Sequence, residues 1–395
     1  MTMTPQLSAN IRPDDTLALG QRISFLINSM EGGGAERAMA NLLSHLQSAL
    51  AEQTVELILL DDLPRKQDLP ENLRIVTLDG RGKMGRSLSE LRRYWTSPDN
   101  RPDVCVSYLA RANVVNVWLA RRFGHRALIS ERVHTSSHLA GARAAPLLKF
   151  ITRRTYPRAD HVIAVSGGVS EDLSENYGVS PDIISVIGNP IDSDRLQALA
   201  AEPPALSLPN DYFLGVGRLV ANKNFALTLD ALATVPNAPS LVILGHGPEE
   251  GALRAQAERL GITARVIFAG FIENPYPVMA KARALVSASR AEGFPNTLIE
   301  AMTLGCPVIA TDCPSGPAEV LEMTAEKGPP WPASAHGLLV AMEDDTALAS
   351  AIKTLCDDTA QQDYAARAAK RAADFGHDAV IAAYMNLLSR YAAHD

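Results

Sequence analysis

The sequence predicts an α/β protein made of two Rossmann-like domains with parallel sheets facing across a cleft. Three observations carry this expectation. Short apolar runs alternate with helix-patterned stretches through the first half, prolines then concentrate near residues 193–210, and the same alternation restarts afterwards. Alternating strands and helices imply parallel sheets covered by helices on both faces. The first series of strands is expected at Arg22 to Asn28, Val55 to Leu60, Arg74 to Leu78, Val104 to Tyr108, Ala127 to Ser130 and His161 to Val165, with helices from about Ala35 to Leu50 and from about Asn113. The second is expected at Tyr212 to Val216, Leu241 to Leu244, Val266 to Ala269, Ala284 to Ser287, Val308 to Ala310 and Gly337 to Val340.

At 395 residues the chain accommodates two domains of ordinary size, and a hydrophobic share of 47% suits a globular class. No apolar run reaches the roughly 18 residues of a membrane span, and residues 1–20 are polar rather than a signal peptide, so a cytoplasmic protein is expected. The four cysteines (Cys105, Cys306, Cys313, Cys356) stand at no metal-ligand spacing, which points to buried or free thiols. The net charge of −7 conceals an asymmetry: residues 81–158 hold 16 Lys or Arg against 4 Asp or Glu. Within that segment Gly141 to Arg158 mixes cations with Leu147, Leu148, Phe150 and Ile151, as interfacial helices do. An anionic membrane surface is the expected partner. Nucleic acid is not, because no recognition motif accompanies the charge.

Two constellations in the second half carry chemistry. Glu292-Gly-Phe-Pro-Asn-Thr-Leu-Ile-Glu300 places two carboxylates eight positions apart, after a strand and at the start of an apolar helix. Ligands of open parallel sheets bind at the carboxyl ends of strands. Thr297 to Glu300 fits a capping box, which would place the backbone around Gly293, Phe294, Pro295, Asn296 and Thr297 at the positive end of a helix, a position that suits an anion. Carboxylates accept from hydroxyls and a helix start attracts phosphate, so a ligand bearing both, such as a nucleotide-sugar, fits. Upstream, Val216-Gly-Arg-Leu-Val-Ala-Asn-Lys223 delivers Gly217, then Arg218 and Lys223, after another strand. Two cations there suit a diphosphate.

These residues resemble the retaining GT-B glycosyltransferases of family 4, from Ile23 to about Arg390. Further matches are Gly32-Gly-Gly-Ala-Glu36, Asn189-Pro-Ile-Asp192, Leu244-Gly-His-Gly-Pro248 and Thr311-Asp-Cys-Pro-Ser-Gly-Pro317, wording most similar to bacterial enzymes of surface-polysaccharide, lipopolysaccharide or lipid-linked glycan synthesis. The resemblance implies transfer of a hexose or N-acetylhexosamine from a nucleoside-diphosphate sugar to a lipid-linked or oligosaccharide acceptor, with no cofactor and no metal. It implies that Arg218 and Lys223 face the diphosphate, Glu292 the sugar hydroxyls and Glu300 the ribose. Gly33 and Gly34 would approach donor or acceptor, and His246, Gly247 and Ile272 would frame the base. His134, in Ser130-Glu-Arg-Val-His-Thr135, stands near a cleft histidine of the family but lacks the usual neighbouring Asp, so Glu131 or Arg132 are alternatives for contact with the donor sugar. Asp192-Ser-Asp194 spells a metal motif of a different fold and is read here as helix-capping chemistry.

The resulting division is a flexible segment over 1–20, an acceptor-binding domain over 21–195, a nucleotide-sugar domain over 196–376 and a closing helix over 377–395 that packs back on the first domain. An epimerase of the same fold, a phosphorylase, or a non-catalytic nucleotide-sugar-binding protein are the competing readings. An epimerase would want extra carboxylates in the first domain and a phosphorylase a lysine for pyridoxal phosphate, and neither is evident.

Overall fold

The computed structural model describes residues 20–140, 144–324, 328–329, 331–332 and 335–392. The segment expected to be flexible over 1–20 lies outside these residues apart from Gly20, as do residues 141–143 of the basic stretch. The chain forms two compact units, one ending at Pro190 and resuming at His377, the other running from Ile191 to Gly376.

The first unit holds β1 (Arg22–Ile27), β2 (Thr54–Leu59), β3 (Arg74–Thr77), β4 (Val104–Tyr108), β5 (Arg126–Glu131), β6 (His161–Ala164) and β7 (Ile184–Val186) in the order β3-β2-β1-β4-β5-β6-β7. All pairings are parallel. The second holds β8 (Tyr212–Val216), β9 (Ser240–Leu244), β10 (Val266–Gly270), β11 (Ala284–Ser287), β12 (Val308–Thr311) and β13 (Leu338–Val340), again wholly parallel, in the order β10-β9-β8-β11-β12-β13. Side chains of a strand alternate between faces, and a sheet buried on both sides needs apolar residues at both. Thus Ile23, Phe25 and Ile27 of β1 enter one core while Leu26 enters the other with Ile58 and Cys105. In the second sheet Phe213, Leu241 and Ile243 face one layer of helices, and Tyr212, Leu214 and Val242 the opposite one.

Three features differ from, or add to, the reading of the sequence. Strand β7 was not expected; its three residues at the sheet edge are half-buried or exposed. Helix Ser193–Ala200 would be cut by a division at 195/196, yet Ile191 and Leu196 pack with Tyr212 and Leu214, so the chain changes unit after Pro190. The last helix, His377–Ala392, buries Tyr384, Leu387 and Leu388 in the core of the first unit. It is fastened there by a 2.6 Å hydrogen bond between the Tyr108 and Tyr384 hydroxyls and by Tyr391 Oη at 3.1 Å from His161 Nδ1.

In each sheet the order reverses direction beside the first strand, between β1 and β4 and between β8 and β11. Adjacent loops there leave the sheet toward opposite faces, which opens a crevice at the carboxyl ends of the strands. The second of these switch points is where the two sequence constellations fall.

Candidate functional site

The loop after β8 lies backbone to backbone on the loop after β9. Gly217 N–H donates to Leu244 O at 3.0 Å, Leu219 N–H to His246 O at 2.9 Å and Glu249 N–H to Leu219 O at 3.0 Å. This closeness requires Gly245: its φ is +132°, and a Cβ there would stand 1.9 Å from Gly217 O. The loop then closes in a short 3-10 turn, Ala221–Lys223, which presents Lys223.

Lys223 Nζ donates to Glu292 Oε1 at 2.6 Å, with the two side chains 26% and 14% exposed. Residues 69 apart in sequence, one after β8 and one after β11, thereby meet across the switch point. The two loops are also joined directly: Arg290 N–H donates to Asn222 O, and the Asn222 side-chain Nδ2 to Ala291 O, each at 2.8 Å. From the other side Ser315 Oγ donates to Glu292 O at 2.7 Å, and Thr311 Oγ1 to Ser289 O at 2.6 Å. The loop carrying Ser315 approaches so closely that a Cβ at Gly316, φ +103°, would stand 2.5 Å from Pro295 Cδ. Cys313 is buried beside the pair; burial and the Glu292 charge push its thiol up to about 12, so it remains protonated and is no nucleophile. Arg218 is exposed, and among the described residues no hydrogen bond or ion pair holds its side chain. The result is a paired cation on a partly buried carboxylate, with the exposed Arg218 on the same loop as Lys223.

The capping box expected at Thr297 is not formed. The helix runs Asn296–Thr303 with Pro295 at the cap position and no side-chain cap, so Thr297 is the second helical residue. Proline lacks an N–H and adopts the cap geometry at little cost, which moves the helix start two residues back, and Asn296 N–H donates to Phe294 O at 2.9 Å. Glu300 is consequently in the second turn, 7% exposed, and accepts from Tyr276 Oη at 3.5 Å. Phe294 projects edge-on toward Phe375, with ring centroids 6.1 Å apart. At the next loops, His246 Nε2 accepts from Phe271 N–H at 3.1 Å, which puts the ring proton on Nδ1, 3.8 Å from Glu250 Oε2. Phe271 is 72% exposed beside it, and Ile272 is half-buried.

Gly33, Gly34 and His134 belong to the first unit. Gly33 caps helix Gly34–Ala49 after β1, and Gly32 holds a φ of +135°. His134 follows β5 and caps helix Thr135–Leu139: its Nδ1 accepts from Ser137 N–H at 3.3 Å and stands 2.8 Å from Ser137 Oγ. Of the three alternatives there, Glu131 is 1% exposed and Arg132 7%. Glu131 is bonded to Tyr156 Oη at 2.5 Å, and burial raises its pKa. His134 is 17% exposed, and its Nδ1 stands 4.0 Å from Asp172 Oδ2. Asp192 accepts from Arg195 N–H at 2.9 Å as the cap of helix Ser193–Ala200, the capping role read from the sequence.

Several residues escaped the sequence reading. Ser315 lies in the quoted Thr311–Pro317 motif, but its contact with Glu292 is tertiary. In the first unit Arg111 pairs with Asp61 through both guanidinium ends and reaches Asn28 Oδ1 at 3.3 Å, joining the loops after β4, β2 and β1. Leu109, just before it, holds a strained φ of +76°.

Residues 210–358 match a family model described as glycosyl transferases group 1, and residues 32–195 one described as glycosyltransferase family 4. The chain is 30% identical over 367 residues, covering 90% of this chain and 96% of the relative, to N-acetylgalactosamine-N,N'-diacetylbacillosaminyl-diphospho-undecaprenol 4-alpha-N-acetylgalactosaminyltransferase of Campylobacter jejuni. It is 26% identical to the lipopolysaccharide core biosynthesis glycosyltransferase LpsE of Rhizobium meliloti, over 90% of this chain and 96% of that one. Among solved structures, Anabaena Alr3699/HepE in complex with UDP superposes with a TM-score of 0.72 at 21% identity, over 94% of this chain and 100% of that one. The lipopolysaccharide outer core galactosyltransferase WaaB in its apo form gives 0.69 at 22% identity, over 94% and 99%. With two parallel-sheet domains of the GT-B kind and a full-length relative at this identity, the chain belongs to the group 1, family 4 glycosyltransferases.

Proposed function

We propose that this glycosyltransferase moves a hexose or N-acetylhexosamine from a nucleoside-diphosphate sugar to a lipid-linked or oligosaccharide acceptor, with retention of anomeric configuration and without a metal ion. The observation that carries the reading is the Lys223–Glu292 pair at the β8/β11 switch point, with Arg218 on the same loop as Lys223. Cleaving the bond between C1 of the sugar and the diphosphate oxygen sends an electron pair to the diphosphate and leaves an oxocarbenium-like sugar. Fixed cations in a partly dry crevice stabilise the first, and a carboxylate stabilises the second. Lys223 has three N–H donors and can keep Glu292 while donating to phosphate. The acceptor hydroxyl attacks C1 from the face the diphosphate leaves, and its proton passes to the departing diphosphate oxygen, so no protein nucleophile is used. Glu300 accepts from the ribose hydroxyls, the Asn296–Thr297 helix start faces the diphosphate, and Gly217, His246, Gly247 and Ile272 surround the nucleotide. The name of the Campylobacter relative supports an acceptor linked to undecaprenyl diphosphate and an N-acetylhexosamine donor.

Support for docking at an anionic inner-membrane face comes from helix Ala145–Thr155, where Leu147 is 60% exposed and Phe150 56%, beside Trp118 at 43%. Arg121, Arg154 and Arg158 line a groove with Trp118 and Phe150. The patch is smaller than the basic segment, because Asp79 pairs with Arg81 and Arg86, and Ile151 is half-buried. No helix among the described residues is long and apolar enough to cross a membrane. Salt-reversible co-sedimentation with anionic but not zwitterionic vesicles is expected, and equal recovery in the supernatant with both would remove the membrane from the account.

The donor assignment is tested by melting the protein with UDP-, GDP- and ADP-sugars in the presence of EDTA. One nucleotide series should raise the melting temperature. Stabilisation only after Mg²⁺ is restored, or by none of them, contradicts the proposal.

A further inference from the structure

Lys223 and Glu292 meet because two loops are held side by side, and a third loop takes part in holding them. Arg290, two residues before Glu292, donates Nε and Nη2 to the two carboxylate oxygens of Glu343 at 2.6 and 3.1 Å. Its Nη1 donates to Ala221 O at 2.7 Å. Glu343 Oε1 also accepts from Asn224 Nδ2 at 3.3 Å, and Asn224 directly follows Lys223. One guanidinium thus ties the loops after β8, β11 and β13. The backbone at Glu343 is left-handed, φ +57°, and so is that at Asn224, φ +47°. Asparagine tolerates this region, whereas glutamate is ill suited to it and glycine would sit there without strain. A glutamate where glycine is favoured points to a use for its carboxylate. That use is not bulk stability, since Arg290 and Glu343 are 45% and 55% exposed and such pairs add little to folding. The hydrogen bonds from Arg290 hold the Glu343 carboxyl below its ordinary range, so it stays charged at neutral pH.

We propose that Arg290 and Glu343 form a clamp that fixes the Lys223 loop against Glu292, and are positioning residues for the donor diphosphate. The clamp rests on the phosphate reading of Lys223 given above.

Glu343→Gly removes the carboxylate while relieving the backbone, which makes it the informative variant. Its full-length protein is compared with the parent, Glu343→Gln and Lys223→Ala by melting temperature, by amide hydrogen exchange, and by turnover of the UDP-, GDP- or ADP-sugar that stabilises the parent. Glu343→Gly is expected to melt no lower than the parent and to exchange faster at residues 218–224 and 289–292. It should lose about tenfold in kcat with KM for the donor little changed. Glu343→Gln still accepts from Arg290 and should keep at least half of the parental turnover. Unchanged exchange in those segments with kcat within about twofold of the parent overturns the clamp. So does a fall in kcat that only accompanies a lower melting temperature and faster exchange throughout the unit. If instead Lys223→Ala alone retains parental turnover, the phosphate reading of Lys223 fails, while the exchange data still decide whether the clamp orders the loops.

Discussion

Replacing Lys223 by Met keeps most of the side chain's volume and removes one charge, and two effects follow from the geometry. Glu292, 14% exposed and bonded to Lys223 at 2.6 Å, loses its counter-ion. A fully buried broken pair costs about 3–5 kcal/mol, and the partial exposure here reduces that to about 1–2 kcal/mol of stability. The second effect falls on the transition state. A unit charge about 4 Å from the departing diphosphate contributes about 4 kcal/mol at an effective dielectric constant near 20, and loss of one such preorganised donor elsewhere slows turnover by about 10²–10³. The assay is steady-state release of nucleoside diphosphate alongside a melting curve. Turnover should fall by about two to three orders of magnitude, and the melting temperature by a few degrees. Adding Glu292→Gln removes the orphaned charge and should return the melting temperature without returning turnover. If that double variant recovers both, the lysine is a structural partner of Glu292 and the catalytic argument is refuted.

Other predictions follow from the same geometry. Glu300→Ala should weaken binding of the bare nucleoside diphosphate, whereas Glu292→Ala should depress turnover with little effect on that affinity; calorimetry giving equal losses for both would reject the division of roles. His125 and His161 each have a pKa lowered from 6.5 to about 4, chiefly by burial, so both are neutral when folded. The stability they contribute is complete above pH 6.5 and disappears as pH falls toward about 4, about 3 kcal/mol each over the whole window. Urea unfolding should weaken from pH 7 to pH 5, less so in His161→Gln, and an identical decline in that variant would contradict the cause. Gly245→Ala meets Gly217 O at 1.9 Å with a φ of +132°, and should cost about 3 kcal/mol or more in stability, measured by denaturant midpoint. A neutral result would mean that the two loops can separate freely.

Much of the fold was legible because strands buried on both faces are written as apolar runs between turn residues, as with Arg22–Ile27 and Ser240–Leu244. Strand Ile184–Val186 was not, since an edge strand of three residues has only partial burial to record. At the site, the cations after β8 and the carboxylates after β11 were identifiable from their placement at strand ends. Their pairing was not, because Lys223 and Glu292 are 69 residues apart and only the sheet order makes them neighbours. The same holds for Arg290 with Glu343 and for Arg111 with Asp61, 53 and 50 residues apart. The mistaken cap at Thr297 has a local origin: the Thr-to-Glu spacing was present, but Pro295 occupies the position that spacing assigns to Thr297.

The central claim is that the pair at the β8/β11 switch point serves transfer with retention. Proton NMR of the first product formed from the α-linked nucleoside-diphosphate sugar that stabilises the protein and a polyprenyl-diphosphate-linked sugar tests it most directly. The anomeric coupling constant of the newly transferred residue should be that of the α-linked donor. A β-linked product contradicts same-face attack, and an altered nucleotide-sugar with no transfer contradicts glycosyl transfer to such an acceptor.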